Sequence, residues 1–141
     1  SFRGPGRRNA AMFGPAGRAY VYRSYGVHWC FNIVAPGPGD AVLVRALAPT
    51  NGLDVMAARR GLSTPRLLCA GPGRLCQALG LDARHDGLDL AAAPFRLLAA
   101  DGRPALGAGR RIGVSKAADR PWRFGIADSP FLSRRFRVDP V

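Results

Sequence analysis

The stretch "YVYRSYGVHWCFN" (Tyr20 to Asn32) decides the fold, because it places three tyrosines, a histidine and a tryptophan around one glycine. β-Branched and aromatic residues favour strands on both sides of that glycine, over Ala19 to Tyr25 and over Val27 to Val34. Gly26 can adopt the positive φ that a tight turn requires. The stretch therefore predicts a β-hairpin whose tip lies near Ser24 to Val27.

The rest of the sequence predicts further strands and two helices. The segments are a third strand in "AVLVRALA" (Ala41 to Ala48), a helix in "PTNGLDVMAARRG" capped by Thr50 or Asn51 and ended by Gly61, a helix in "AGPGRLCQALGLD", and two strands in "RRIGVS" and "PWRFGIA". Before the hairpin, Ser1 to Gly17 reads as a loop anchored by Met12 and Phe13. Strands in hairpin order with separate helices predict an α+β fold, and 141 residues predict one domain over residues 1–141.

Charge points to the class of partner. The chain carries 21 basic and 9 acidic residues, a net charge of +12, and Lys116 is its only lysine. Such an excess favours a polyanionic partner, and nucleic acid is favoured over anionic lipid because no basic amphipathic helix stands out. No apolar run approaches the ~20 residues that cross a bilayer, so we expect a soluble protein with no membrane partner.

The cysteines and histidines argue against a metal site. Cys30, Cys69 and Cys76 are odd in number and lack CxxC spacing, and His28 and His85 lie far from the later cysteine pair. We therefore expect neither zinc nor disulfides, but buried thiols in a reducing cytoplasm.

Three tyrosines of the hairpin have two possible roles each. Tyr25, beside the turn glycine, has little core to pack into, so it either wedges between bases or folds back on its own hairpin, and the two readings are evenly balanced. Tyr20 and Tyr22 share a strand face and either stack on a base or pack in the core. Core packing is favoured for each of these two when taken alone.

Two polar residues stand in apolar surroundings. Asn32 either braces the backbone or lines a pocket and tests a base edge, and bracing is slightly favoured. Arg45 alternates with Leu43 and Leu47, so a buried guanidinium there must have a partner, unless that row faces solvent. The segment "GPGR" (Gly71 to Arg74) is a weak candidate for a phosphate site at a helix start.

Several motifs in the same order resemble one family. These are "RNAAMFGPAGRAYVYRSYGVHWCFNIV", "AVLVRALAP", "LCAGPGRLCQALGL" and "RIGVSKAADRPWRF…SPFLSR". Together, from about Ser1 to about Arg135, they are similar to the alkyladenine (3-methyladenine) DNA glycosylases. The resemblance implies one mixed domain with a curved antiparallel sheet, a protruding hairpin and flanking helices. It implies a base-excision repair enzyme without cofactor or metal, a monomer that acts on double-stranded DNA in the cytoplasm, associated with the nucleoid.

The resemblance also implies an activity and a set of roles. Such enzymes flip 3-methyladenine, 7-methylguanine or hypoxanthine out of duplex DNA and hydrolyse the N-glycosidic bond. By position, Tyr25 would fill the gap in the duplex, Gly26, Val27 and His28 would follow the DNA backbone, and Tyr22 would stack on the flipped base. Asn32 would exclude the 2-amino group of guanine, Leu43 would wall the pocket, and Arg45 and the carbonyl of Ile112 would hold the attacking water.

One expected residue has no match. The family's general base is a glutamate in an "E-x-Y" strand followed by a histidine, and this chain contains no glutamate. We therefore expect the glutamate and histidine before Ser1, in an N-terminal catalytic strand that this chain lacks. The alternative hypothesis is a non-catalytic, Arg-rich nucleic-acid-binding module.

Overall fold

A computed structural model describes residues 4–136 of the chain, so the first three residues of the predicted N-terminal loop lie outside the described residues. In chain order the elements are β1 (Ala19–Ser24), β2 (His28–Val34), β3 (Ala41–Leu43), α1 (Leu53–Arg60), α2 (Pro65–Leu68), α3 (Pro72–Leu79), β4 (Leu106–Gly109) and β5 (Arg123–Ile126), with 3-10 turns at Ala10–Phe13 and Ala83–His85. Met12 and Phe13 are half-buried in the first of these turns. Helices and antiparallel sheets together confirm the α+β class.

The predicted hairpin is confirmed. β1 and β2 pair antiparallel from Ala19↔Ile33 to Ser24↔His28. β3 joins β2 on its other side and gives the order β1-β2-β3. Because side chains alternate along a strand, one face of the hairpin enters the core and the other is left for the site described below.

The core lies between the three-stranded sheet and the helices. It is formed by buried apolar residues of the sheet and of the helical region: Ala19, Val21, Phe31, Leu68, Cys69, Leu75, Cys76, Ala78, Leu81 and Leu90. α3 follows the prediction, with Leu75 and Cys76 buried and Gly80 ending it at φ +70. This helix therefore packs against β2, and its start forms one wall of the candidate site.

Two sequence-based expectations about these elements are wrong, and one short helix was not expected. β3 ends at Leu43 instead of Ala48, so Leu47 is not in a strand row with Arg45 and is 39% exposed. α1 starts after Gly52, which adopts φ +67 without a side-chain cap, so neither Thr50 nor Asn51 caps it. The short α2 starts at Pro65, which presets helical φ at a first turn, and sequence reading missed it.

The last two strands form a separate antiparallel pair. β5 lies within the predicted "PWRFGIA", but "RRIGVS" is not a strand, because β4 precedes it and pairs Leu106↔Ile126. Glycine has a low strand propensity. Its lack of a side chain at Gly107, Gly109 and Gly125 nevertheless lets the ring of Phe136 approach one face of this strand pair closely. The segment with Ile112 is consequently a loop beside this pair.

Candidate functional site

The hairpin tip carries one projecting aromatic ring. Tyr25 and Gly26 adopt φ of +49 and +69, both positive as a type I′ turn requires, and the amide of Val27 donates to the carbonyl of Ser24 at 3.0 Å. The side chain of Tyr25 is 93% exposed, so it does not fold back on the hairpin. A left-handed backbone conformation is unfavourable for a tyrosine. The turn that holds the ring outward therefore costs conformational free energy at Tyr25.

Polar and aromatic side chains share the sheet face that does not enter the core. Tyr20, Asn32 and Leu43 form one row across the three strands, and Tyr22 pairs with Cys30 in the next row toward the tip. Directly paired residues point to the same face of a sheet. The face therefore unites three of the predicted pocket residues, Tyr22, Asn32 and Leu43.

The ring of Tyr22 is partly buried and partly accessible to solvent. Its ring stacks on that of Tyr20, with centroids 5.3 Å apart and planes 27° from parallel. Tyr20 is buried beneath the non-core face of the sheet, whereas Tyr22 is half-buried. Burial, with the neighbouring Cys30, raises the pKa of Tyr22 to about 12, so the ring is a neutral phenol at physiological pH. An accessible, electron-rich ring is suited to stack on a flat cationic ligand.

Asn32 is buried and hydrogen-bonded. Its side-chain amide donates to the carbonyl of Tyr20 across the strand pair, at 3.1 Å. This contact fits the bracing that the sequence slightly favoured, because the amide holds β1 against β2. The same bond fixes the orientation of the side chain beside Leu43.

Arg45 is the least satisfied residue of the site. Its Nε is buried and finds no hydrogen-bond partner within residues 4–136. Burial is the main effect that lowers its pKa, and the positive charge of Arg111 adds to it, while Cys30 and Tyr22 act in the opposite direction. The Arg45 Nε therefore has no partner in the described part of the chain, so it can donate to an anion or to a water oxygen.

A cleft of about 780 Å³ opens beside Arg45. Its lining combines the hairpin base, the start of α3 and two later loops: Val27, His28, Trp29, Arg45, Ala70, Gly71, Pro72, Gly73, Arg74, Gln77, Ile112, Ser133 and Arg134. The "GPGR" segment thus contributes to the site, with the Arg74 guanidinium donating to the carbonyl of Ala70 at 3.3 Å. No aspartate of residues 4–136 lines this cleft.

Most of the predicted site residues fall into two groups, which Arg45 connects. Tyr22, Asn32 and Leu43 lie on the sheet face, whereas Val27, His28 and Ile112 line the cleft. Arg45 lines the cleft and is close enough to Tyr22 for its positive charge to act on the pKa of that tyrosine, so it connects the two groups. Tyr25 and Gly26 belong to neither group and project from the tip.

Sequence reading placed neither of two arginines, Arg111 and Arg123, near Arg45. Arg111 lowers the pKa of Arg45, and the pKa of Arg123 is lowered by burial and then by Arg45 and Arg134. The Arg123 guanidinium also lies 4.0 Å from the centroid of the Phe136 ring. Arg111 stands in the loop with Ile112 and Arg123 in β5, so no local motif joins them to Arg45.

Cys30, Cys69 and Cys76 are buried, as expected, and each carries a free thiol. Burial raises the pKa of each thiol, to about 12 for Cys76.

Across residues 4–136 there is no group of three or more His, Cys or Asp side chains arranged to hold a metal ion. Nor does any described helix have the length and hydropathy to span a membrane.

Comparison with known proteins decides the family. Residues 1–130 match the sequence model of the methylpurine-DNA glycosylases. The chain belongs to the methylpurine-DNA glycosylase family. Its resemblance to the alkyladenine glycosylases is thereby confirmed, and with it an enzyme class, the hydrolases of N-glycosyl bonds that act in DNA repair.

Individual relatives agree with this membership. A protein of Nitrosospira multiformis is 55% identical over 143 residues, covering 100% of this chain and 74% of the relative. One of Rhodopseudomonas palustris is 57% identical over 138 residues, 96% of this chain and 67% of the relative. One of Agrobacterium fabrum is 52% identical over 139 residues, 99% of this chain and 72% of the relative. Each relative bears the name "Putative 3-methyladenine DNA glycosylase".

Proposed function

We propose that this methylpurine-DNA glycosylase flips alkylated or deaminated purines, such as 3-methyladenine, 7-methylguanine and hypoxanthine, out of duplex DNA for hydrolysis. The observation that carries the proposal is Tyr25, a tyrosine ring 93% exposed at the tip of a tight turn. Inserting a side chain between base steps unstacks them, and a ring held outward is suited to that role. Gly26, Val27 and His28 then follow the DNA backbone beside it.

The sheet face next to the hairpin would receive the flipped base. Tyr22 offers its half-buried ring for stacking, and a purine that carries a positive charge after alkylation would gain from the ring's electron-rich face. Leu43 walls the same face. Asn32, held by its bond to the Tyr20 carbonyl, would reject the 2-amino group of guanine by lack of space.

Arg45 and the Ile112 carbonyl would hold the attacking water. In the reaction the water oxygen bonds to C1′ of the sugar, the bond between C1′ and the purine nitrogen breaks, and the purine leaves as a free base. One proton of the water must pass to an acceptor. Residues 1–141 contain no glutamate, and no aspartate of residues 4–136 lines the cleft, so we assign that acceptor to none of them.

The proposed substrate also sets the partner and place of action. Twelve net positive charges support binding to the phosphates of double-stranded DNA. We propose a monomer that meets damaged purines on nucleoid DNA in the cytoplasm.

Duplex binding tests the proposal. Affinities for duplexes with one hypoxanthine and for undamaged duplexes are measured by fluorescence anisotropy over a range of salt concentrations. The wild-type chain should prefer the lesion, and Tyr25→Ala should lose that preference while its salt-dependent binding to undamaged DNA persists. Equal affinity of the wild type for both duplexes would instead favour the non-catalytic Arg-rich binding module.

Base release forms the second arm of the test. Because the general base is unassigned, residues 1–141 alone should release hypoxanthine at near the uncatalysed rate while they still bind the lesion. Rapid release by this chain would show that one of its own residues acts as the general base, and His28, the histidine that lines the cleft, would be the first to substitute.

A further inference from the structure

The base of the hairpin tip is stabilised by a cation–π pair that the proposed mechanism does not use. Arg23 and Trp29 are directly opposite each other in the β1–β2 register, one pair below the Ser24↔His28 pair that closes the turn. The Arg23 guanidinium carbon lies 5.8 Å from the centroid of the Trp29 ring. This distance is within the range at which a cation is attracted to an indole face.

This part of the hairpin lacks the support that the third strand gives elsewhere. β3 pairs with β2 over Asn32, Ile33 and Val34, and the Val44 amide donates to the carbonyl of Phe31 at 3.0 Å. The described residues show no such pairing for the stretch nearer the tip. Its rigidity therefore depends on contacts within the hairpin and on its packing.

Trp29 supplies that packing. It is half-buried and packs against the core, and it also lines the cleft. Because the Arg23 guanidinium lies over the Trp29 ring, Trp29 links Arg23 to the core. The Arg8 guanidinium also lies 3.5 Å from the carbonyl of Arg23 and brings the N-terminal loop to the same strand.

Tyr25 needs this support more than an ordinary turn residue does. Its exposed ring makes few contacts of its own, so the backbone of the turn determines where it points. A tyrosine at φ +49 stays in that conformation when the flanking strands are held in place. Rigidity before binding lowers the entropy lost when the ring enters the duplex.

We infer that Arg23 and Trp29 are positioning residues that preorganise the Tyr25 wedge, so that their pairing raises the fraction of lesion held outside the duplex. The inference rests on the proposed role of Tyr25. Neither residue contacts the flipped base in the proposed mechanism. Their pairing acts through the backbone of the turn.

A double-mutant cycle tests the pairing. Base extrusion is followed by the fluorescence of 2-aminopurine next to a hypoxanthine, with wild type, Arg23→Met, Trp29→Leu and the double variant. Arg23→Met should lower the extrusion equilibrium about two- to fivefold, the value of an exposed cation–π contact. The double variant should resemble Trp29→Leu alone, because the second change has no contact left to remove. Arg23→Lys should restore most of the loss.

A matched control lies in the same chain. The Arg120 guanidinium carbon is also 5.8 Å from the centroid of a tryptophan ring, that of Trp122, in a segment outside the hairpin. Arg120→Met should leave the extrusion equilibrium unchanged although it removes the same kind of contact and the same charge.

Two results would overturn the inference. One is an equal loss of affinity of Arg23→Met for lesion and undamaged duplexes, which would make Arg23 a phosphate contact. The other is additivity of the two substitutions. If Trp29→Leu does not fold, the comparison of lesion with undamaged affinity in Arg23→Met decides alone. Tyr25→Ala in the same assay separates the two proposals: if it retains wild-type fluorescence, the wedge itself is wrong, and if it alone loses the signal, the positioning role is wrong.

Discussion

Replacing Arg45 by methionine should stabilise the fold while it impairs the chemistry. The buried Nε of Arg45 has no hydrogen-bond partner within residues 4–136, and an unsatisfied buried polar group costs about 1–3 kcal/mol. Methionine is flexible and fills a similar space without a polar atom. The substitution also removes the repulsion that Arg111 and Arg123 exert on this position.

The gain is reduced by the loss of the guanidinium's own packing contacts. We therefore expect the free energy of unfolding to rise by about 1–2 kcal/mol. For a chain of this length, each kcal/mol corresponds to a Tm change of about 3 °C, so Tm should rise by roughly 3–6 °C. Thermal unfolding followed by circular dichroism at neutral pH measures it, with Arg45→Lys as the variant that keeps a charge. A Tm lowered by several degrees would refute the reasoning, because it would make Arg45 a stabilising residue.

The same substitution should affect hydrolysis more than binding. If Arg45 holds the attacking water, Arg45→Met and Arg45→Leu should lower base release by about 100-fold in a protein that includes the general base, the usual loss for a preorganised polar contact to a reacting group. Affinity for lesion DNA should change much less. The opposite order, with affinity lost first, would return Arg45 to a phosphate-binding or structural role.

Three further substitutions probe the packing and ionisation of the site. Gly73→Ala should lower the free energy of unfolding by about 1–3 kcal/mol in urea, because the new Cβ would lie 2.8 Å from the Cβ of His28. This loss should exceed the gain from alanine's higher helix propensity. A higher free energy of unfolding would show that the cleft wall can move to accommodate the methyl group. Tyr22 has its pKa raised from 10.0 to about 12, so the folded state holds this proton more tightly than the unfolded state does, and its contribution to stability is complete below pH 10 and falls as the pH rises to about 12. Tyr22→Phe should make that alkaline fall smaller, and an unchanged pH profile would contradict the assignment. Gly125→Ala should increase amide hydrogen exchange in β4 and β5, because its Cβ would lie 2.8 Å from Cδ2 of Leu132, and unchanged protection would count against close packing of this pair.

Local chemistry determined the parts of the fold that the sequence predicted well. The hairpin follows from aromatic and β-branched runs around Gly26, and α3 from apolar spacing ended by Gly80. Both depend on residues close together in the chain, so pattern reading suffices.

Tertiary contacts determined the parts that were predicted wrongly. β3 stops at Leu43 because its pairing with β2 ends there, although "AVLVRALA" continues to alternate. The glycine-rich β4 has low strand propensity and forms beside β5 under the ring of Phe136. Propensity gives way to packing in both cases.

The candidate site was predictable in its composition but not in its electrostatics. The motifs named Tyr22, Asn32 and Arg45, which the fold brings close to one another. The cluster of Arg45 with Arg111 and Arg123 unites segments far apart in sequence, so no local pattern could reveal it. The lack of a hydrogen-bond partner for the Arg45 Nε within residues 4–136 likewise becomes visible only when the surroundings of the side chain are known.

A crystal structure of the chain bound to a duplex with one hypoxanthine tests the central claim most directly. We predict the hypoxanthine outside the duplex against the ring of Tyr22, beside Asn32 and Leu43, with the Tyr25 ring in the gap that it leaves. A hypoxanthine still stacked in the duplex, with Tyr25 in solvent, would contradict it.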